Sequence, residues 1–599
     1  MNFIKKNFLV ICAFIFFILL VIIYINKSFV DVPFLDGLMP LPMVEKYFQG
    51  KLSFRDMNMR WGEHRLIGYS LIYLVNAILF GLNIKVDAFL FLLTYFLIGV
   101  MIYFFYKRFF INNLRKDFNI WIQISYISIL SVIFSLMHPP IESSMTVQFV
   151  IGTLFFIISA VFFDQMCLDR KKIRFFLGFL ISIAIYILIF SGAYFGGALF
   201  SLITCLLFKF LLSKNKKISL QLIISVLLTV ILIGGYMRLT SVSGYDGNNL
   251  FGKILVFLSS FGETFKAFLA GLSGITLDIH TFSERLKSSE PIILINGCVL
   301  LLLGAYSTFR FITLKIYKKT YLPLLLIMYS IGSIFTIRLG RLNGGWLQVV
   351  NDWYSFHLYF YLIGSLWILY FDLFKRFDVA SSKSLKNVFW HNKVIIILSL
   401  IWLTLIFSVQ SFSNVFQWIR APYVYQWFEV KRQAILFPDK ESLKTLLWNE
   451  QDCLKAIAVL KKYKLSVFRP SKIGIYPGNI IKSSAWNPDG WIGKDAKVII
   501  VSGKEGVLLM NTYLPKEIYS RIYKSSLQLI IILDGIAIKK YNFSKGAFDK
   551  GPVGITINIP KNKILSLELK IDKSYVPAQM NLGKDLRELG IIIQKLDVK

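Results

Sequence analysis

Long apolar runs are the feature that most constrains how this chain can fold. A helix that crosses a lipid bilayer needs about 20 consecutive, mostly apolar residues. On that basis the sequence contains about eleven candidate spans, which begin near Phe8, Asp87, Asn119, Gln148, Phe175, Ser191, Ile218, Pro291, Tyr321, Tyr354 and Lys393. Charged residues make up only 17% of the chain, against roughly 25% in soluble globular proteins. The sequence therefore predicts an α-helical, polytopic membrane protein.

The distribution of positive charge predicts the orientation of these spans. Lys and Arg number 67 against 34 Asp and Glu, and many of the cations lie in alternate loops: Lys107, Arg108, Arg115, Lys116, Arg170, Lys171, Lys172, Arg174, Lys209, Lys214, Lys216, Lys217, Lys315, Lys318, Lys319, Lys375, Arg376, Lys383 and Lys386. The loops between them, from His138 to Val147 and from Ser191 to Gly197, contain no Lys or Arg. Cytoplasmic loops collect cations, so the N-terminus is predicted inside and the C-terminus outside. This pattern favours membrane lipids as partners, and not nucleic acid.

This orientation depends on how the apolar stretch from Leu66 to Gly81 is interpreted. It has about 16 residues, which is short for a span, and three polar residues precede it, so an interfacial or re-entrant helix is predicted. The first outer loop then covers residues 26–86. A spanning helix here would reverse the sides of all later loops.

The sequence changes character after Ser413, where apolar runs shorten and Pro, Gly, Asn, Asp and Lys recur. We predict a membrane domain over residues 1–412, a helical linker over 413–473 and an extracytoplasmic β-sandwich over 474–599. Six short strand-like segments support the sandwich, and Asp534-Gly535 is a hairpin signal. The segments are KVIIVSG, GVLLMNTYL, LQLIIILDGIAIKKYNF, VGITINI, ILSLELKI and GIIIQKL.

The first outer loop carries the main candidate for a catalytic base. Asp36 lies about ten residues after the first span, in a Pro-rich and partly apolar setting where burial would raise its pKa. A carboxylate there can accept a proton from an acceptor hydroxyl. Asp-Gly is also a common turn pair, so an Asx-turn is the structural alternative. Asp31 competes for the catalytic role.

Three consecutive polar residues, Glu63, His64 and Arg65, precede the predicted interfacial helix. Arg65 can bind a phosphate with two hydrogen bonds, and protonated His64 can donate to it. A solvated helix start, with Glu63 near the positive end of the helix dipole, is the structural alternative. The spacing of His64, Glu63 and Asp36 matches no established metal-ligand pattern, so no metal site is predicted.

Two further loops on the predicted outer side hold candidate binding residues. Glu142 is the only charged residue of the second loop, and Gln148 follows at the start of the next span; a carboxylate and an amide together can bind sugar hydroxyls. In the late loop, Arg338 and Arg341 lie near Tyr354, a combination suited to a phosphate with a sugar or isoprenoid beside it. Helix-end packing and the aromatic belt of a membrane protein are the alternatives.

Taken together, these residues resemble the GT-C class of integral-membrane glycosyltransferases, which use polyprenyl-phosphate-linked sugars. The first loop is similar to that of a bacterial group in which an essential Asp follows the first helix. In that group a Glu-His-Arg triplet comes later in the same loop. Asp36 matches that Asp, and Glu63, His64 and Arg65 match the triplet. In the second loop Glu142 and Gln148 match the group's pattern, whereas Ser143 replaces an Asn.

The resemblance also shows departures from the group. Gly37 stands where an acidic or polar residue often follows the Asp, and Trp353-Tyr354 replaces an Arg-Tyr pair in the late loop. The donor-phosphate role therefore moves to Arg341 or Arg338.

The resemblance implies an inverting glycosyltransferase on the outer face of a bacterial cytoplasmic membrane. Its donor would be a polyprenyl-phosphate-linked sugar, and its acceptor a cell-envelope glycan, lipid or protein. No cofactor is indicated, although a divalent metal stays open. A flippase or transporter, or a polymerase or ligase of lipid-linked glycans, is the alternative; scarce charge in the middle of the spans disfavours transport. A carbohydrate-binding sandwich on a passive anchor is a third reading.

Overall fold

The chain forms two compact units. The first contains Met1–Glu429 and Leu446–Val467, and the second contains Val430–Thr445 and Phe468–Lys599; we call them the helical unit and the β unit. The computed structural model describes the chain except for residues 1, 34–36, 59, 62–63, 66, 115–117, 136–144, 169–172, 191–194, 213–218, 241–256, 258, 280–288, 343–344, 351–353, 381–385, 437, 439–442, 447–448, 469–479, 483–490, 503–504, 516–517, 519–525, 545, 550, 562, 578–588 and 599.

Apolar helices dominate the first unit, as the apolar runs predict. In chain order the helices are α1 (Asn2–Ser28), α2 (Leu41–Phe48), α3 (Phe54–Met57), α4 (Ile67–Phe80), α5 (Ile84–Ile111), α6 (Asn119–Ile133), α7 (Met145–Cys167), α8 (Ile173–Ile185), α9 (Phe195–Leu212), α10 (Leu220–Thr240), α11 (Phe261–Ser273), α12 (Ser289–Thr313), α13 (Leu322–Gly340), α14 (Ser355–Ala380), α15 (Lys386–Leu436) and α16 (Glu450–Lys462).

Within the described ranges, nine helices are long and apolar enough to cross a membrane. They are Lys6–Ser28, Ile84–Ile111, Val147–Cys167, Ile173–Phe190, Phe195–Leu212, Ser289–Thr313, Leu322–Gly340, Phe356–Phe377 and Leu400–Leu436. Two more predicted spans form shorter apolar helices, Asn119–Ile133 and Leu220–Tyr236. This architecture is compatible with a multi-pass membrane protein.

Helix α4 is the short helix expected from the stretch between Leu66 and Gly81. Its 14 residues extend about 21 Å at the usual rise of an α-helix, less than the roughly 30 Å of a hydrocarbon core. A turn that contains Gly81 and Leu82, both with positive φ, links α4 to α5. The Asn76 side chain holds this turn, since it accepts from the Asn83 N–H and donates to the Asn83 carbonyl.

Small residues bring several helices of the first unit into close contact. A Cβ added to Gly196 would clash with Thr336, and one added to Gly197 would clash with Ser333. Both glycines lie at the start of α9, which therefore packs directly on α13. Such close approach is a usual role of small residues between membrane helices.

The β unit contains two antiparallel sheets, as the strand pattern predicts. Strands β1 (Arg60–Trp61) and β2 (His64–Arg65) lie in the helical unit. The strands of the β unit are β3 (Ile480–Lys482), β4 (Trp491–Ile492), β5 (Asp495–Val501), β6 (Val507–Tyr513), β7 (Leu527–Leu533), β8 (Ile536–Phe543), β9 (Val553–Asn558), β10 (Ile564–Ile571) and β11 (Ile591–Val598). Their orders in the two sheets are β3-β5-β10-β7-β8 and β4-β11-β6-β9. Both sheets contribute alternate residues to one buried core, for example Val498, Met510 and Leu567. All six predicted segments form strands, whereas the short β3 and β4 were not predicted.

The hairpin signal at Asp534-Gly535 is confirmed. Leu533 pairs with Ile536, so the two residues form the whole loop between β7 and β8. Their φ values are 48° and 84°, and positive φ at both positions is the geometry of the type I′ turn that suits a two-residue hairpin.

Candidate functional site

The candidate site begins with a hydrogen bond between α4 and α7. Tyr69 is the third residue of α4, so its N–H has no acceptor within the helix. The Gln148 Oε1 atom accepts this N–H at 2.6 Å, and both residues are fully buried. The contact joins the segment that follows Arg65 to the helix that follows Glu142. It therefore connects the helices that follow two loops which the sequence singled out separately.

A second contact joins the start of the first loop to the same part of α4. The Tyr73 hydroxyl donates to the Gly37 carbonyl at 2.5 Å. Tyr73 lies one turn after Tyr69, and their rings meet edge to face with centroids 5.5 Å apart. The residue that follows Asp36 is thus held about one helical turn from the Gln148 contact.

The late loop has its own cluster of cationic and aromatic side chains. The Arg341 Nε atom donates to the Tyr354 hydroxyl at 3.2 Å, and the Arg338 Nη1 atom donates to the Arg341 carbonyl at 3.3 Å. Arg338 and Tyr354 are buried, whereas Arg341 is exposed. The Tyr354 hydroxyl therefore holds the Arg341 guanidinium at its Nε atom, in a residue that is exposed.

A pair of aromatic rings links the late loop to α7. Phe149, next to Gln148, stacks on Phe356, two residues after Tyr354, with an interplanar angle of 10° and centroids 6.5 Å apart. Gln148 and Phe149 are consecutive, so α4 and α14 both contact the first two turns of α7. The helices that begin after the first, second and late loops therefore meet at one end of the helical unit, which we call the site end.

Contacts between α13 and α14 set the position of the late-loop cluster. The Tyr329 hydroxyl and the His357 Nδ1 atom are 2.6 Å apart, and the Ser330 hydroxyl donates to the His357 carbonyl at 2.8 Å. These buried contacts hold the middle of α13 against the start of α14. Arg338 and Tyr354 lie beyond them, toward the site end.

Two glycines allow a π-helical turn to pack against the site. The turn Tyr186–Phe190 extends α8, and π-helical turns often occur at functional sites. A Cβ on Gly68 would lie 2.6 Å from the Phe190 ring, and one on Gly152 would lie 2.8 Å from the Phe190 carbonyl oxygen. Both distances are too short for a real Cβ, so these glycines permit the close approach of α4, α7 and the π-helical turn.

Asp31, the rival candidate for the base, contacts a helix end. Its Oδ1 atom accepts the Ile84 N–H at 2.7 Å, and Ile84 is the first residue of α5. A carboxylate in that position satisfies a free N–H and interacts favourably with the helix dipole. The structure thus gives Asp31 a structural contact of its own.

An ion pair orders the first loop between α2 and α3. Lys46 contacts Asp56 at 2.5 Å, and Asp56 accepts from the Ser53 N–H and hydroxyl at 3.0 and 2.6 Å. These hydrogen bonds lower the pKa of Asp56 from 3.8 to about 2, and the one from Lys46 has the largest effect. The Ser53–Asp56 pair is a capping box at the start of α3.

Residues at and after the end of α16 also contact the first loop. Lys462 pairs with Glu45 at 3.1 Å, and the Tyr463 ring stacks on Phe48 with centroids 4.7 Å apart. Hydrogen bonds to Tyr463 and Glu45 raise the pKa of Lys462. The Ser466 N–H also donates to the Gly81 carbonyl at 2.7 Å. Residues far along the chain therefore restrain the first loop.

One polar cluster near the late loop was not predicted from the sequence. Asp278 is buried and accepts a hydrogen bond from Gln417, while Arg420 approaches it to 3.7 Å. The Ser413 hydroxyl donates to the Thr276 carbonyl, two residues before this aspartate, at 3.2 Å. A single carboxylate in an otherwise apolar stretch, GITLDIH, was the available signal.

Several predicted site residues lie outside the described residues. They are Asp36, Glu63 and Glu142. His64 and Arg65 form strand β2 (His64–Arg65), which pairs with β1 (Arg60–Trp61), but only their backbone is described. Among the predicted site residues, the described side chains are therefore those of Gln148, Arg338, Arg341 and Tyr354.

A metal site was not predicted. In the part of the chain that the structure describes, no group of three or more His, Cys, Asp and Glu side chains could hold a metal ion. Comparison of the chain with protein-family models, curated proteins and solved structures gives no match.

Proposed function

We propose that this protein is an inverting glycosyltransferase of the GT-C type, which transfers a sugar from a polyprenyl-phosphate donor. The acceptor is a glycan, lipid or protein of the cell envelope. The meeting of α4, α7 and α14 around Tyr69, Gln148 and Phe356 carries the proposal, because each helix follows a loop whose sequence contains residues of a kind that this reaction needs. Apolar helices beside this end would give a lipid-linked donor access from the bilayer.

The proposal includes an orientation. The N-terminus lies in the cytoplasm of a bacterium, about eleven helices cross the cytoplasmic membrane, and the β unit lies outside. The site end then faces the outer leaflet. Nucleotide-linked sugars are absent from that side, which is why a lipid-linked donor fits.

Asp36 is proposed as the general base. The acceptor hydroxyl attacks the anomeric carbon, the bond from that carbon to the phosphate oxygen breaks, and the hydroxyl proton passes to Asp36. Polyprenyl phosphate leaves with the bonding electron pair. The hydrogen bond of Asp31 to the start of α5 supports Asp36 over Asp31, since a base must be free to accept a proton.

Arg341 is proposed to bind the donor phosphate, together with Arg65 and His64. A guanidinium forms paired, charge-assisted hydrogen bonds to phosphate and so stabilises the negative charge that develops on the leaving group. The exposure of Arg341, anchored at Nε by Tyr354, supports this role. Arg338 is buried and donates to the Arg341 carbonyl, which supports a positioning role.

Glu142 and Gln148 are proposed to orient the sugar or the acceptor. The hydrogen bond from Tyr69 occupies the Gln148 Oε1 atom, so Gln148 also positions the first loop. This contact makes the arrangement of the site depend on α4.

Mass spectrometry of envelope glycans tests the proposed activity. A strain that lacks the protein is complemented with the wild type, with Asp36→Asn or with Asp56→Asn as a matched control in the same loop. We expect the wild type and Asp56→Asn to restore a sugar-sized mass increment in one glycan, and Asp36→Asn to fail at normal protein levels. Full restoration by Asp36→Asn would exclude Asp36 as the base, and identical glycans with and without the protein would refute the transferase.

A further inference from the structure

A polar cavity lies at the opposite end of the helical unit from the candidate site. Its volume is about 340 Å³, within the range of roughly 300–1,000 Å³ that is usual for ligand sites. The ends of α5 and α7 and the short helix Ile316–Lys318 surround it. Its polar lining consists of Arg108, Asn112, Asn113, Asp164, Gln165, Lys318, Lys319 and Thr320.

The single carboxylate of the cavity lining is held by hydrogen bonds within the wall. Asp164 is buried and accepts hydrogen bonds from the Thr320 hydroxyl at 3.1 Å, from the Gln165 amide at 3.0 Å and from the Tyr321 N–H. These contacts hold the start of α13 against the end of α7. Asp164 is thus a structural acceptor, and three cations remain in the lining against its one negative charge.

Two of the three cations are available for a ligand. Lys319 donates to the Asn113 side chain, which joins two walls of the cavity. Arg108 and Lys318 are exposed, and neither side chain forms an ion pair or a hydrogen bond with any residue in the described part of the chain. Their charges, together with the side-chain amide of Asn112, are suited to an anion.

The surface of α5 indicates that this anion belongs to a lipid. Five large apolar side chains spaced three or four residues apart form one exposed stripe along the helix, and Arg108 continues that stripe one turn later. The stripe consists of Phe89, Leu93, Leu97, Val100 and Phe104. An acyl chain can lie along such a stripe while its headgroup reaches the cavity, whose apolar wall contains Phe105 and Leu168.

We propose that this cavity binds the phosphate group of an anionic lipid headgroup, with Arg108 and Lys318 as its cationic ligands. Basic pockets between membrane helices on the cytoplasmic side are suited to such headgroups. The loops at this end carry Arg115, Lys116 and Arg170 to Lys172 in the sequence, so the positive-inside rule assigns the site to the inner leaflet. This site is separate from the proposed transferase site and does not depend on its activity.

Native mass spectrometry of the full-length protein in detergent tests the proposal. The probes are dioctanoyl phosphatidylglycerol, its zwitterionic phosphatidylcholine analogue, inorganic phosphate and glycerol 3-phosphate. We expect the anionic lipid to bind most tightly. Removal of each cation should weaken its binding about fivefold, and removal of both about 25-fold.

The key variant is Arg108→Gln with Lys318→Gln, and the matched control is Arg174→Gln with Lys375→Gln. The control residues are exposed at the same end, outside the cavity, so both variants remove two positive charges there. We expect only the first variant to lose lipid affinity; the single substitutions give a second, milder measurement. Equal lipid binding by both double variants would overturn the site. Binding of inorganic phosphate as tight as that of the lipid would overturn the lipid as its ligand.

Discussion

The hydrogen bond between Gln148 and the Tyr69 N–H predicts how firmly the first loop is held. Replacement of Gln148 by Leu keeps a side chain of similar size but removes the acceptor. The N–H of Tyr69 then stays buried without an acceptor, because no earlier turn of α4 supplies a carbonyl. A buried polar group that loses its acceptor costs about 1–3 kcal/mol.

This loss is measurable as local opening of α4. Hydrogen exchange of a segment in rapid opening equilibrium speeds up by the factor that corresponds to the lost free energy. We therefore expect peptides from the start of α4 to exchange about 5 to 150 times faster in Gln148→Leu. The measurement uses the full-length protein in lipid nanodiscs, with exchange followed by mass spectrometry.

Thr94→Val serves as the matched control for this substitution. Thr94 is buried in the neighbouring α5, and its hydroxyl donates to the Leu90 carbonyl of its own helix. Its replacement removes a polar group without leaving a backbone N–H unsatisfied, so we expect α4 to exchange at the wild-type rate. Unchanged exchange in Gln148→Leu, or an equal increase in both variants, would refute the role of this hydrogen bond.

Three further predictions concern close packing, turn geometry and charge. Gly152→Ala would place a Cβ 2.8 Å from a backbone oxygen of the π-helical turn. We therefore expect the free energy of unfolding to fall by about 1–3 kcal/mol, with a lower thermal midpoint. The control Gly234→Ala adds a Cβ that meets no atom within 4 Å and should not destabilise the protein. Gly535→Ala forces a φ of 84° on a residue with a Cβ, which should cost about 1–2 kcal/mol and speed hydrogen exchange in the β7–β8 hairpin; unchanged exchange would contradict the turn assignment. Folding lowers the pKa of Asp56 from 3.8 to about 2, so its ion pair stabilises the loop above about pH 4 and is lost as the pH falls toward about 2. In Lys46→Met, the titration midpoint of the Asp56 carboxyl, followed by ¹³C NMR, should lie nearer 3.8. A wild-type midpoint already at 3.8 would exclude the ion pair.

The helices and strands follow from local patterns that the sequence displays directly. Apolar runs of sufficient length give the long helices, because bilayer thickness fixes how many apolar residues a crossing needs. In the β unit, alternation of buried and partly exposed residues along Leu527–Leu533 reflects the two-residue period of a strand. The Asp534-Gly535 hairpin was predictable because few residue pairs adopt positive φ at two consecutive positions.

The contacts within the site could not be read from such patterns. Gln148 and Tyr69 are 79 positions apart, and nothing local specifies that an amide in one helix accepts an N–H from another. The sequence was therefore compatible with either a sugar-orienting or a packing role for Gln148. Asp31 likewise looked like a second candidate base, because its contact with the start of α5 depends on how the chain returns after α4.

The cluster around Asp278 was likewise not predictable from the sequence. A single carboxylate in an apolar segment carries no motif, and its contact residues Gln417 and Arg420 lie far along the chain. Only the packing of α15 against this segment explains why a buried acid is tolerated there, since buried charges need hydrogen bonds or ions nearby.

The most direct test of the account is the fate of a lipid-linked sugar in proteoliposomes that contain the purified protein. The donor is a polyprenyl-phosphate-linked sugar fraction from bacterial membranes, supplied with an envelope-glycan acceptor. We predict free polyprenyl phosphate and a new glycosidic bond with the wild type and Asp56→Asn, and a rate about 100- to 10,000-fold lower with Asp36→Asn. Movement of the intact lipid-linked sugar across the bilayer, with no new bond, would contradict the proposed transferase.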